Sequence, residues 1–222
     1  MSRAGRAVAA ALAAATLALG GCGWLGGVVD RFRGGKEIVE PPSPLPELGP
    51  EALRVTELWR RDAGEGTDRL LLGIAPLVAD GAVYVADRKG RVYAFDAASG
   101  APRWEADVKA PVSGGPGGDG ALILVGTPDA EVVALDAASG AVRWRSTVTS
   151  EILAAPRAGA EVVVVRSVDG RLAALDLADG RRRWVYGRRV PPLSLRGTGA
   201  PVIDGGRVYA GFDDGRLAAL RL

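Results

Sequence analysis

Histidine is absent from this 222-residue chain and cysteine occurs once, at Cys22. Imidazole general acid–base catalysis, a histidine-ligated metal and an intramolecular disulfide are therefore all excluded. Long apolar runs are scarce as well. The one near the start, Ala7 to Leu19, is too short to span a bilayer. Charge of one sign is not in excess either: of 28 basic residues, Arg3 and Arg6 lie in that leader, and the rest equal the 26 acidic residues in number. That balance carries no nucleic-acid footprint, so no nucleic-acid partner is expected.

What is present in abundance is a period. Asp96-Ala97-Ala98-Ser99-Gly100, followed by Trp104, returns in closely similar form at Asp136 to Trp144 and at Asp176 to Trp184, forty residues apart each time. A fixed period in this range marks repeats that bury their apolar faces only by stacking on their neighbours. Within one unit, residues 81 to 108 show three alternating runs separated by turns. Val83 and Val85, then Val92 and Ala94, keep the period of two expected of strands. Asp87-Arg88-Lys89-Gly90 and Ser167-Val168-Asp169-Gly170 are hairpin signals, and Thr127-Pro128-Asp129-Ala130 keeps turn formers without the Gly. A fourth short strand is expected in each unit near Pro76, Pro116, Pro156 or Pro201. Four short strands per unit make a propeller blade, so the fold class is all-β, a β-propeller.

The chain order adds a leader and a tether. Residues 1–21 read as a signal peptide, with two arginines, an apolar run and small residues before Cys22. From 22 to 54 no period survives, and Pro41-Pro42-Ser43-Pro44-Leu45-Pro46 favours an extended spacer. Residues 55–222 carry the propeller. Trp59 resembles the last strand of a unit whose first strands are missing, as in a strand that closes a ring, and three full units follow. The fourth stops at Leu222 before any Asp-to-Trp phrase, giving an incomplete propeller of about four blades. Because a ring needs roughly four to eight blades, and bare strand edges are avoided, the expectation is a partial copy of a longer protein, with pairing of two chains as the alternative.

Connections between units are unequal. From each Trp to the next Pro there are 17, 12, 12 and 17 residues. The two long ones hold Arg69-Leu70-Leu71-Leu72-Gly73 and Leu193-Ser194-Leu195-Arg196-Gly197, leucines beside an arginine on loops, where binding residues concentrate. The residues alone leave open whether these leucines bind a partner or tuck under the next blade. Trp104, Trp144 and Trp184 read as blade-to-blade packing. The glycines from Gly114 to Gly120 read as a flexible turn, since no Lys-Ser or Lys-Thr follows as a phosphate loop requires. Arg181 to Arg183 with Arg188 and Arg189 read as a solvated basic face.

Ala-Phe-Asp-Ala-Ala-Ser-Gly-Ala-Pro-Arg-Trp, from Ala94 to Trp104, resembles the tryptophan-docking repeat of the eight-bladed propellers named after the pyrroloquinoline quinone dehydrogenases. Leu19-Gly20-Gly21-Cys22 resembles a bacterial lipobox. Together with the Pro-rich tether and Leu193 to Gly197, the chain is similar to the propeller lipoproteins of the outer-membrane β-barrel assembly machinery, over the first half of a full-length member. The resemblance implies lipidation at Cys22 and, since Gly23 rather than Asp follows, attachment to the outer membrane facing the periplasm. It implies that Leu193, Leu195 and Arg196 contact a periplasmic domain of the central assembly protein, the leucines as apolar anchors and Arg196 as the charged donor. An acidic segment that the family adds to that surface falls in later blades. No cofactor, metal or catalytic residue is expected. The rival readings are a quinone-dependent dehydrogenase-like propeller and another ligand-binding propeller of the cell envelope. The dehydrogenase class would need a catalytic Asp, calcium ligands and commonly an adjacent Cys pair, whereas Asp96, Asp136 and Asp176 stand in turns of separate blades.

Overall fold

The computed structural model describes residues 43–44, 49, 55–67, 70, 72–194 and 199–222. The chain divides into two units, Met1–Arg54 and Val55–Leu222. Only the second is described as a fold, and among its described residues no helix occurs.

Three four-stranded blades and a three-stranded one follow the forty-residue period. The first runs β1 (Leu77–Ala79), β2 (Ala82–Ala86), β3 (Arg91–Asp96) and β4 (Pro102–Asp107). The second runs β5 (Gly114–Gly118), β6 (Leu122–Gly126), β7 (Glu131–Asp136) and β8 (Val142–Thr147). The third runs β9 (Arg157–Gly159), β10 (Val162–Arg166), β11 (Arg171–Asp176) and β12 (Arg182–Gly187). The last has β13 (Val202–Asp204), β14 (Arg207–Gly211) and β15 (Leu217–Arg221). Within a blade each strand pairs antiparallel with the next. Gly118 also pairs parallel with Arg157, which joins the second and third blades into one eight-stranded sheet.

Register explains which residues face which neighbour. Tyr84 opposes Ala94 and Ala86 opposes Val92. These residues form one buried cluster with Ile123, Val125, Val133 and Leu135 of the second blade. Val83 and Val85 lie on the other face, opposite Phe95 and Tyr93. In the third blade the simple alternation disappears, and every residue of β10 is buried. A blade sandwiched between two others has both faces covered, so its central strand reads as a continuous apolar run. Two more clusters fill the remaining blade interfaces, one around Leu124, Val132 and Val163, the other around Val164, Leu172 and Val208.

The tryptophans dock each blade on the next. Trp104 donates from Nε1 to Ala137 O at 2.9 Å and lies on Gly140, where an added Cβ would come 2.6 Å from the ring. Trp144 repeats the contact forty residues on, donating to Leu177 O at 2.9 Å and covering Gly180. Trp59 does the same to Ala97 O at 3.0 Å over Gly100. Its segment is not paired as a strand, unlike the expectation for a closing strand. The docking turn holds it through the Trp59 indole and an Arg61 Nε to Gly100 O bond of 2.8 Å, and the Trp59 ring lies 6.5 Å from that of Phe95.

One other expectation is corrected. Gly114 to Gly118 is the innermost strand β5, not a flexible turn. A Cβ at Gly117 would collide with the carbonyl of Pro156, and one at Gly114 would come 2.8 Å from Ile152 O and Ala154 O. Here glycine permits close backbone approach of the neighbouring connection rather than mobility. Pro116 lies within that strand, whereas Pro76, Pro156 and Pro201 each stand just before one. The basic face is solvated as expected, with Arg181 to Arg183 and Arg189 exposed, and it carries ion pairs. Arg183 is paired with Asp176 at 2.7 Å, and Arg188 reaches Asp214 at 2.7 Å on the next blade.

Turn chemistry departs from the glycine rule in the third blade. The β9–β10 hairpin turns through Ala160 and Glu161 at φ of 49° and 64°, where the equivalent turns use Asp80-Gly81 and Gly205-Gly206. Two positive φ values define the turn whose twist suits a two-residue hairpin, and a side chain there is strained. Glu161→Gly is expected to stabilise the domain by about 0.5–1 kcal/mol, the relieved strain outweighing the added freedom of glycine in the unfolded chain. Urea denaturation measures this. A lower midpoint would show that the Glu161 side chain contributes more than its backbone costs.

A candidate protein-binding face

Antiparallel alternation sorts all loops onto two ends. The β1–β2 and β3–β4 turns and their equivalents lie at one end. At the other lie the β2–β3 hairpins and the connections between blades. The first end holds the Asp-containing turns. Asp96 accepts hydrogen bonds from Ser99 N and Oγ at 3.0 and 2.8 Å and pairs with Arg103 at 2.8 Å. The Arg103 hydrogen bond, followed by those of Ser99, holds the Asp96 carboxyl well below the usual carboxylate range. Asp136 is lowered mainly by Ser139 and Asp176 mainly by Arg183. These carboxylates are acceptors built into turns, one per blade. Among the described residues, no group of three or more Cys, Asp or Glu side chains converges as a metal cluster would require.

The second end carries both long connections, and they behave differently. The first lies down on the adjoining hairpin: Arg88 N donates to Gly66 O at 2.9 Å, Glu65 pairs with Lys89, and Glu65 N approaches Asp87 Oδ2 at 3.3 Å. Leu70 and Leu72 line a small cavity of about 50 Å³ with Arg88, Pro111 and Pro128. Arg69 and Leu71 lie outside the described residues. The second connection leaves the blade at Arg188, tied to Asp214, and Pro192, Leu193 and Ser194 on it are exposed. Leu193 on it is 93% exposed. Leu195 and Arg196 lie outside the described residues, as does Cys22.

Beside this connection is a feature that residue patterns did not flag. Arg166, at the end of β10, is only 2% exposed, yet its Nη2 reaches Asp213 Oδ2 at a long 3.4 Å and its Nε has no hydrogen-bond partner. The guanidinium lies 4.6 Å from the centroid of the Phe212 ring. Burial pushes the Arg166 pKa down, partly countered by Asp213 and Asp214. Arg166, Phe212, Asp213, Arg216 and the backbones of Gly199 and Gly211 line an open cavity of about 400 Å³. The signal was available in the repeats. Position 166 corresponds to Ala86, Gly126 and Gly211, and position 212 to Asp87, Thr127 and Ser167.

The family model described as outer membrane protein assembly factor BamB matches residues 54–116 and 88–222. The chain is 52% identical over 186 residues to the outer membrane protein assembly factor BamB of Kangiella koreensis, covering 84% of this chain and 48% of that one. It is 52% identical over 211 residues to that of Pseudomonas aeruginosa, covering 95% and 53%. Among solved structures, BamB from Moraxella catarrhalis superposes with a TM-score of 0.64 at 30% identity, over 69% of this chain and 46% of that one. The chain spans about half the length of the curated relatives it matches. With a family model matching from residue 54 to the last residue, on a fold of stacked tryptophan-docked blades, the chain belongs to the outer membrane protein assembly factor BamB family.

Proposed function

We propose that the chain is a lipid-anchored, periplasm-facing scaffold subunit of the machinery that assembles β-barrel proteins into the outer membrane, and that it performs no chemistry of its own. In this reading residues 1–21 are removed, Cys22 carries acyl chains, and 22–54 spaces the propeller of 55–222 from the bilayer. Two or more acyl chains hold a protein firmly to a membrane, which a single chain does not. The partner is the central assembly protein, gripped by its periplasmic domains through Leu193, Leu195 and Arg196.

The observation that carries the reading is the exposure of Leu193. Leu193 is 93% exposed on a loop five residues longer than those of the adjacent blades, in a chain whose family is named for outer-membrane protein assembly. An apolar side chain held out from a rigid scaffold gains free energy by entering a partner pocket, and such anchors dominate interface energetics. Arg196 is suited to a bidentate contact with a carboxylate on that partner.

A photo-crosslinking amino acid at position 193, in cells producing the lipidated chain, tests the reading. The expected product is a single major adduct with the central assembly protein. The same probe at Arg207, exposed at the opposite end of the last blade, is expected to give none. Adducts of equal yield from both positions, or adducts only with unrelated envelope proteins, would contradict it.

A further inference from the structure

Arg166 and Phe212 are departures from a repeat, and they occur together. At position 166 the other blades have Ala86, Gly126 and Gly211. At position 212 the other three blades have small polar residues that hold the hairpin. Asp87 Oδ1 accepts from Arg91 N at 2.9 Å, Thr127 Oγ1 accepts from Glu131 N at 3.0 Å, and Ser167 Oγ donates to Arg171 O at 3.3 Å. In the last blade Phe212 gives up that role, although its backbone N still donates to Arg216 O at 2.8 Å. What the two exchanges create is a guanidinium laid on an aromatic ring, 4.6 Å from its centroid, at the interface of the third and fourth blades.

As a clamp between blades this arrangement is poor. A buried cation is favourable only with close, well-aligned partners, and among the described residues Arg166 has one ion pair, at 3.4 Å, and an Nε without a hydrogen-bond partner. As a receptor it offers a narrow opening, since the Arg166 side chain lines the cavity but is only 2% exposed. The ring fixes the plane of the fork, a guanidinium presents five donors of which few are used here, and its natural complement is a carboxylate. Arg216 adds a second positive charge at the rim of the cavity of about 400 Å³, and Asp213, already 3.4 Å from Arg166 Nη2, takes up one donor of the fork. The glycine backbones of Gly199, Gly211 and Gly215 leave room for a side chain to enter.

We infer that this cavity is a carboxylate-binding pocket which receives an aspartate or glutamate side chain from an acidic segment of a protein partner, with Arg166 as the donor fork and Phe212 as its platform. The inference rests on the proposed role of this end of the blades as the partner-binding face. It deepens that role by giving the partner a charge.

The test uses the full chain in detergent and the peptide acetyl-Asp-Glu-Asp-Glu-amide, with its Asn-Gln-Asn-Gln counterpart as the neutral comparison. Calorimetric titration is expected to give saturable binding of the acidic peptide only. Arg166→Met keeps the volume and removes the charge, so it is expected to lower affinity at least 10-fold while leaving the melting temperature within a few degrees. Arg207→Gln is expected to leave affinity unchanged. Should Arg166→Met fail to fold, Arg166→Lys carries the test, since it keeps the charge but loses the fork and is expected to weaken binding several-fold. No binding by the native chain, or equal losses in Arg166→Met and Arg207→Gln, overturns the inference. Because the probe is a short peptide, that failure would leave a positive crosslink from position 193 standing and is thereby distinguished from failure of the assembly role.

Discussion

Trp144→Ala is expected to destabilise the propeller by about 3–5 kcal/mol, the range for removing a large buried aromatic. The indole is 8% exposed, covers the backbone of Gly180 and donates to Leu177 O at 2.9 Å. Its loss opens a void at the second and third blades' interface and leaves a carbonyl without its donor, two penalties that add. Because each blade is stabilised mainly by its nearest neighbours, the effect spreads along the stack. Trp184→Ala is the informative comparison. Trp184 is half-buried against the cluster around Val164 and Val208, but among the described residues its Nε1 makes no hydrogen bond. A loss for Trp184→Ala no larger than about half that of Trp144→Ala is expected in urea denaturation. Equal losses would mean that burial alone, and not docking on the next blade's turn, makes these residues matter.

That docking contact was legible in the sequence because its parts are local. Asp96, Ser99 and Gly100 close one turn, Trp104 follows in the next strand, and the forty-residue recurrence says where the ring must land. Blade boundaries therefore followed from spacing alone. What spacing could not convey was inter-blade approach. Gly114 to Gly118 looks like a loop by composition, and only the carbonyls of Ile152, Ala154 and Pro156 lying against it explain why a strand there excludes side chains. The turn at Ala160 and Glu161 was equally hidden, since packing of the third blade imposes a backbone that neither residue prefers.

Of the candidate site, the long connection with Leu193 stood out by length and composition. The pocket beside it did not. Arg166 looks ordinary at the end of an apolar strand until the units are laid over one another, when it falls on a column of Ala and Gly; Phe212 likewise falls on a column of capping residues. Comparing the repeats position by position would have exposed the pair, because a residue that breaks a repeat at a buried position must be compensated by its neighbour. The three-dimensional contact then says with what.

The second large effect concerns the partner loop. Leu195→Ala combined with Arg196→Ala is expected to abolish capture of the central assembly protein, a loss of at least 10-fold in recovered complex, with folding unchanged. Removing an apolar anchor and the charge beside it takes away both the burial and the directional contact of a small interface, and residues of that kind cost about 2 kcal/mol or more each when truncated. Among the described residues every strand pairing is made by other segments, so the sheets are not built on that loop. The measurement is affinity capture of the detergent-solubilised chain with partners identified by mass spectrometry, native against double variant, with circular dichroism on both. The account predicts that the native chain brings down the assembly complex and that the equally folded variant does not; recovery of the complex by both, or by neither although both are folded, would contradict it.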